Sequence, residues 1–224
     1  MGHGIIVEVS GERACFTRPE LKAERVSYDV MTPSAARGIL EAIYWKPEIV
    51  WRIDAIHVLN EIKFDTFRRN EVGSKGSYTK AKSAMKTGAR LAISTTDDRQ
   101  QRAMTYLRDV RYVIEAHFDL VDEADNDAPA KHYNMVLRRL RKGQCFNQPY
   151  LGCREFAVGD IRLVEDGEIP RSFYEGREID LGYMLYDFDF PLFGSGGMPE
   201  PCFFRAKMSN GKIDVATARE QVVK

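Results

Sequence analysis

The chain has 224 residues, 44% of them hydrophobic, and its 33 basic side chains balance 33 acidic ones. That is enough apolar material for a real core in one large or two small domains, and no apolar run approaches the roughly 18 residues that cross a bilayer. The opening MGHGIIVEVSG lacks a basic segment followed by a long apolar one, so no secretory signal or membrane partner is expected and a cytoplasmic location is.

Gly4 to Val9 reads as a first strand. Thr32-Pro33 reads as a helix start, threonine capping and proline taking the first helical position. Ala36, Ile39, Leu40 and Ile43 then repeat at helical spacing, predicting a helix to about Trp45 that Pro47 stops. Ile49 to Asn60, rich in branched and aromatic residues, predicts a strand. The Lys/Gly/Ser stretch that follows has too few apolar residues for a core element and is expected as a long mobile insertion at about 73–102. In RYVIEAHFDL, residues 111–120, Tyr112, Ile114, Ala116, Phe118 and Leu120 form one apolar row and Arg111, Glu115, His117 and Asp119 the other. After the acidic link DEADNDAPA, Tyr133, Val136, Leu137 and Leu140 predict a second amphipathic helix, and Val158 to Val164 a strand. The order strand, helix, strand, strand, helix, strand is that of the ferredoxin-like unit found in many RNA-recognition sheets. This assigns an α+β class, with residues 1–165 as a ferredoxin-like, RNA-recognition-motif-like domain. From about Asp166 the chain reads as a small antiparallel β-rich domain, 166–224, with strands at Leu181–Phe190, Cys202–Met208 and Lys212–Val215 and a hairpin turn at Asn210-Gly211.

Charge is unevenly spread. Residues 73–102 hold seven basic residues (Lys75, Lys80, Lys82, Lys86, Arg90, Arg99, Arg102) against Asp97 and Asp98, and Lys131 to Lys142 adds five more with no acid. Together with Arg68 and Arg69 these predict a phosphate-tracking face in which Lys75, Lys80, Lys82, Lys86, Arg138, Arg139 and Arg141 take part. Trp45 and Tyr78 are candidates to stack on unpaired bases. The alternation exposes His117, whose ordinary pKa of about 6.5 suits acid/base work. Glu115 shares its face and is a candidate to hold it protonated. His57 and His132 read as structural or surface residues. Asp122, Glu123, Asp125 and Asp127 lack the glycine and distal glutamate of a calcium loop, so neither metal nor cofactor is expected. Cys15, Cys145, Cys153 and Cys202 fit neither a zinc pair nor a disulfide framework and read as buried thiols. Gly194-Ser195-Gly196-Gly197 is followed by Pro199 and Pro201 rather than a helix, and reads as a flexible connection.

Five blocks in order, SYDVMTPSAARGILEAIYWKPEIVWRI, FRRNEV, LRDVRYVIEAHF, KHYNMVLRRLRKGQCFNQPYLGCREF and the late hairpin, resemble the CRISPR-associated Cas-five protein of the type I-C (Dvulg) subtype over nearly the whole chain. The resemblance implies an endoribonuclease that binds and cuts the hairpin repeat of precursor CRISPR RNA without a metal. It further implies that the protein remains on the product as a subunit of the type I-C interference complex, and some members are also expected to degrade DNA with a divalent metal. The alternative is a non-catalytic scaffold holding the 5′ end of the guide RNA. The implied catalytic group is a tyrosine at the end of the first helix plus a lysine and a histidine close together on a strand. Tyr44 in AIYWKP matches the tyrosine and His117 in EAHF the histidine, whereas Ala116 and Glu115 stand where the lysine belongs, immediately before the histidine or one position earlier. Lys46 and Lys131 are the candidate substitutes for that cation.

Overall fold

The computed structural model describes residues 4–21, 23–121, 129–190 and 197–224. Strand β1 (Ile5–Ala14) is followed by a short β2 (Arg25–Val26) and helix α1 (Pro33–Ile43). As expected, Thr32 caps α1: its hydroxyl accepts the Ala35 N–H at 3.2 Å, with Pro33 next to it where no donor is needed. Strand β3 (Ile49–Val58) leads to β4 (Phe64–Val72), helix α2 (Tyr78–Thr87) and the 22-residue β5 (Arg99–Leu120). Helix α3 (Pro129–Arg141) and β6 (Asp160–Leu163) complete the first part.

β5 organises the sheet. Its second half pairs antiparallel with β1 on one side, Ile5 opposite Ala116, and with β3 on the other, Ile49 opposite Leu120. β6 adds outside β1, so four strands stand in the order β6-β1-β5-β3. Val7, Val9, Ile53, Ile56, Tyr112, Ile114 and Phe118 are buried in one core with Ile39, Leu40 and Ile43 of α1 and Val136 and Leu140 of α3. Burial of these side chains at about 25 cal/mol per Å² is what holds the helices to that face.

The expected loop after Asn60 is instead an arm. β4 pairs along its length with the first half of β5, Phe64 opposite Leu107 through Val72 opposite Arg99, and α2 sits at its far end with no buried residue. The base of the arm joins the core through Met104, Tyr106 and Leu107, with Phe67 packed against them, whereas its outer part is held by ladder hydrogen bonds and cross-strand pairs, which a count of apolar residues does not detect. At the start of the arm Asp109 takes a left-handed conformation (φ 53°), and the Asn60 amide donates to its carbonyl at 2.9 Å.

The last strands are β7 (Glu178–Asp189), β8 (Glu200–Ser209) and β9 (Lys212–Asp214), followed by a single-turn α4 (Val215–Ala218). Asn210 and Gly211 have φ of 53° and 81°, the positive values that a two-residue hairpin requires. β9 also pairs with β3, so these strands extend the same sheet to the order β6-β1-β5-β3-β9-β8-β7. Cys15, Cys153 and Cys202 are buried free thiols as expected, but Cys145 is exposed. The acidic link 122–127 and residues 194–196 of the glycine run lie outside the described residues. No described helix is long and apolar enough to cross a membrane.

The segment after α3 is pinned to the end of β1 by the Cys15 N–H, which donates to the Leu151 carbonyl at 3.0 Å. Gly152 has φ +82°, and a β-carbon there would sit 2.1 Å from the Cys15 carbonyl oxygen. Gly152→Ala is therefore expected to lower the unfolding free energy by about 2 kcal/mol or more in urea titration; an unchanged midpoint would show that this contact is dispensable.

Candidate active site

Tyr44 is where α1 gives way to extended chain. Its N–H still donates to the Leu40 carbonyl at 2.8 Å, but its φ and ψ of −148° and 119° belong to a strand. Successive side chains of extended chain point opposite ways. Tyr44 accordingly turns inward, 4% exposed, and Trp45 outward, 54% exposed. The Trp51 indole N–H donates to the Tyr44 carbonyl at 2.9 Å and holds this exit in place.

Inside, the Tyr44 hydroxyl lies 2.9 Å from Nδ1 of His132, in the first turn of α3. His132 is 2% exposed, and its ring packs against Phe118 with centroids 6.2 Å apart. Its other nitrogen, Nε2, has no hydrogen-bond partner among the described residues. A buried nitrogen left so costs about 1–3 kcal/mol and calls for a physical reason. Further along α3, Arg139 lays its guanidinium over the Tyr44 ring, 5.2 Å from the centroid, and donates to the Ile43 carbonyl. Lys131, adjacent to His132, is exposed. Phenol, imidazole and the Arg139 guanidinium thus meet where the end of α1 crosses α3, with Lys131 next to His132 in the chain. If the Tyr44 hydroxyl donates to Nδ1, the neutral ring carries its proton on Nε2; if Nδ1–H donates to the hydroxyl, Nε2 is a free acceptor. Either way Nε2 is the ring nitrogen that Tyr44 does not engage, and it is buried.

The expected meeting of Tyr44 with His117 does not occur. Phe118 faces the helices, so His117, its neighbour on β5, faces the opposite side of the sheet. There its Nδ1 lies 2.8 Å from Asp54 Oδ2 and its Nε2 3.7 Å from Asp119. Glu115 is not the partner of His117 but is bound to His57 and Lys212. The open face is crossed by such pairs: Arg52 with Asp119 at 2.9 Å, and Glu8 with both Arg111 and Arg162 at 2.7 Å. His132, read from the sequence as structural, is the residue that Tyr44 meets. A signal for it existed: Lys131-His132 is the one place in the chain where a lysine immediately precedes a histidine. It lies on a helix rather than on the expected strand.

Lys46 is exposed two positions beyond Tyr44. Lys75, Lys80, Lys82 and Lys86 are exposed on the arm and α2, far along the chain fold from the helix crossing. Arg68 is exposed on β4, whereas Arg69 is held by Glu71 and Glu155 at 2.6 and 3.2 Å. Arg138 is exposed, Arg141 pairs with Glu165 at 2.9 Å, and Arg139 is committed to Tyr44.

Comparison with known proteins gives a consistent result. The family model described as CRISPR-associated protein (Cas_Cas5) matches residues 4–216. A protein of Mannheimia succiniciproducens named CRISPR pre-crRNA endoribonuclease Cas5d is 49% identical over 229 residues, covering 100% of both chains. One of the same name from Thermus thermophilus is 40% identical over 231 residues, covering 96% of this chain and 92% of that one. Among solved structures, one titled as a CRISPR-associated protein shares 30% identity and a TM-score of 0.67 over 94% of this chain and 90% of its own. A functionally uncharacterized protein of Streptococcus mutans shares 26% identity and a TM-score of 0.67 over 99% and 97%.

The ion pairs of the open face have a stability role that pH can read. Glu8 is 7% exposed at its side chain; burial pushes its carboxyl up, but the hydrogen bonds and charges of Arg111 and Arg162 outweigh this and hold it below its ordinary value of 4.5. A lowered pKa in the fold contributes stability that is fully present above 4.5 and is lost as pH falls through the folded value. Glu8→Gln is expected to cost roughly 2 kcal/mol at neutral pH, a deficit that shrinks in urea unfolding as pH falls below 4.5 and through the folded value. A deficit independent of pH would contradict the assignment.

Proposed function

The chain belongs to the CRISPR-associated Cas5 family, and from that membership we propose that it is the endoribonuclease that cuts the hairpin repeat of precursor CRISPR RNA, with Tyr44, Lys131 and His132 as its catalytic group. The observation that carries this reading is the 2.9 Å contact of the Tyr44 hydroxyl with His132 Nδ1, beside a buried Nε2 that has no partner among the described residues. The lysine immediately before a histidine that the resemblance implies is present as Lys131-His132, beside the matched tyrosine.

The reaction is transfer of a phosphoryl group within the RNA. The ribose 2′-hydroxyl attacks the adjacent phosphorus, the bond to the 5′-oxygen of the next nucleotide breaks, and the products are a 2′,3′-cyclic phosphate and a 5′-hydroxyl. A base must take the 2′ proton, an acid must supply one to the leaving oxygen, and positive charge must meet the phosphorane. With Nδ1–H donating to the Tyr44 hydroxyl, His132 takes the 2′ proton on Nε2 and then gives it to the leaving 5′-oxygen, so one ring serves as base and then as acid. Tyr44 orients the ring through Nδ1, and Lys131, exposed beside it, supplies charge at the phosphate. These side chains meet the needs of the reaction, so we assign it as metal-independent. His117 has no share in it, because Asp54 holds it on the far face.

The order β6-β1-β5-β3, with α1 and α3 against one face, supports a ferredoxin-like reading of residues 1–165. Strands β7 to β9 form the smaller β-rich part. The exposed lysines of the arm, Lys75, Lys80, Lys82 and Lys86, with Arg68 and Arg138, would follow the RNA backbone. The protein would then stay on its product as a subunit of the type I-C interference complex.

Single-turnover cutting of labelled repeat hairpin in EDTA tests the assignment. His132→Ala is expected to slow cutting about 10²- to 10⁴-fold, His117→Ala to leave it within about threefold, and a 2′-deoxy residue at the scissile position to abolish it. Binding of the hairpin without cutting by the unmodified protein would support the scaffold reading, and a slow His117→Ala variant beside a fast His132→Ala one would reverse the roles of the two histidines.

A further inference from the structure

Beside the proposed centre, on the outer side of the same turn, lies a groove of about 590 Å³ that the proton-transfer chemistry does not use. Its size is within the range of small-ligand sites, about 300–1,000 Å³. One wall is the end of α1 with Trp45; the other is the segment after α3, with Phe146, Asn147, Gln148 and Tyr150. We propose that this groove is a subsite for one unpaired nucleobase of the RNA, next to the cut. The inference rests on the reading of the chain as a ribonuclease.

Three features support a base as the occupant. The first is aromatic surface kept in water: Trp45 is 54% and Phe146 74% exposed, and Tyr150 is exposed as well. Three such rings gathered in one groove form a patch that marks a binding site, and flat rings are what nucleobases stack on whatever their identity. The second is the set of polar groups between the rings. Asn147 and Gln148 each offer an amide donor and an acceptor, the pair that reads a base edge, and Arg154 offers a cation to a phosphate. None of these three side chains has a hydrogen-bond or ion-pair partner among the described residues. The acid on the wall, Glu41, is paired with Arg37, which also binds Asp187.

The third is how the groove is built. The Phe146 and Asn147 N–H groups both donate to the Ala42 carbonyl, at 2.8 and 3.1 Å, and the Gln144 N–H donates to the Arg139 carbonyl at 2.9 Å. The segment is thereby fastened to the two helices that carry Tyr44 and His132, so the groove and the centre are held in register. Gly38 lines the same wall of α1. Glycine within a helix is weaker than alanine, yet a β-carbon at Gly38 would meet nothing within 4 Å. Packing does not call for glycine here; an open groove does.

Binding of the labelled repeat hairpin to the full chain in EDTA tests this, using RNAs in which each unpaired nucleotide beside the stem is made abasic in turn. With the unmodified protein, one abasic position is expected to weaken binding about 10-fold, within the roughly 5- to 150-fold that one stacked base supplies. Trp45→Ala/Phe146→Ala and Gly38→Leu should each weaken binding of intact RNA by a similar factor and no longer distinguish that position, with unfolding midpoints near that of the parent. Variants that still distinguish it, or a parent that distinguishes no position, overturn the proposal. So does unchanged RNA affinity with loss of a co-purified protein, which would assign the groove to a protein. The readout is affinity, so a chain that binds but does not cut fails the ribonuclease reading and leaves this test intact.

Discussion

Strand β5 sends Tyr112, Ile114, Ala116 and Phe118 beneath α1 and α3, and it sends Arg111, Glu115, His117 and Asp119 to the opposite face. Because successive side chains of a strand cannot share a face, that alternation divides the titratable groups of the molecule into two sets. His117 belongs to a face held by ion pairs. His132 belongs to the helix side, where Phe118 supports its ring and the end of α1 brings Tyr44 against it. Everything proposed about catalysis follows from which of these two faces a histidine occupies.

The two sets differ in how fully their polar groups are met. On the open face Glu8 has two guanidinium partners, Glu115 has His57 and Lys212, and His117 has Asp54. A carboxylate and a cation so paired contribute to stability and have little capacity left for a substrate. At the helix crossing, Nδ1 of His132 is met and Nε2 is not. An imidazole fixed through one nitrogen, with the other buried and unpaired, has its orientation set before the reaction begins. Arg139 joins the two helices, through the Ile43 carbonyl and the face of the Tyr44 ring, and so couples the geometry of the phenol to that of α3.

Much of the fold could be read from local signals. Thr32-Pro33 starts α1, the alternation of 111–120 marks β5, and Asn210-Gly211 turns β8 into β9, because each is decided by residues close in sequence. The arm escaped because β4 is stabilised by its ladder with β5, some thirty residues later, and not by apolar periodicity. The candidate site was half legible. Tyr44 sits where the helix pattern ends, and the alternation gave the sheet face of His117, although the residue is half-buried there against Asp54. What a strand's period cannot report is which side of the sheet the end of α1 will occupy, so the partner of Tyr44 was misassigned. The adjacent Lys131 and His132 carried the missing signal, but on a helix, where the resemblance pointed to a strand. Of the aromatic groove only Trp45 was legible, as a stacking candidate: Phe146 lines the same groove because two N–H groups of the later segment find the Ala42 carbonyl.

The central claim is that Tyr44 and His132 act as one unit. A double-mutant cycle on single-turnover cutting of the repeat hairpin, combining Tyr44→Phe with His132→Ala, measures that directly. Groups that work as a unit are non-additive, so the double variant is expected to cut within about threefold of the slower single one. Penalties that multiply in full would mean that the phenol and the imidazole act independently, and the account built on their contact would be wrong.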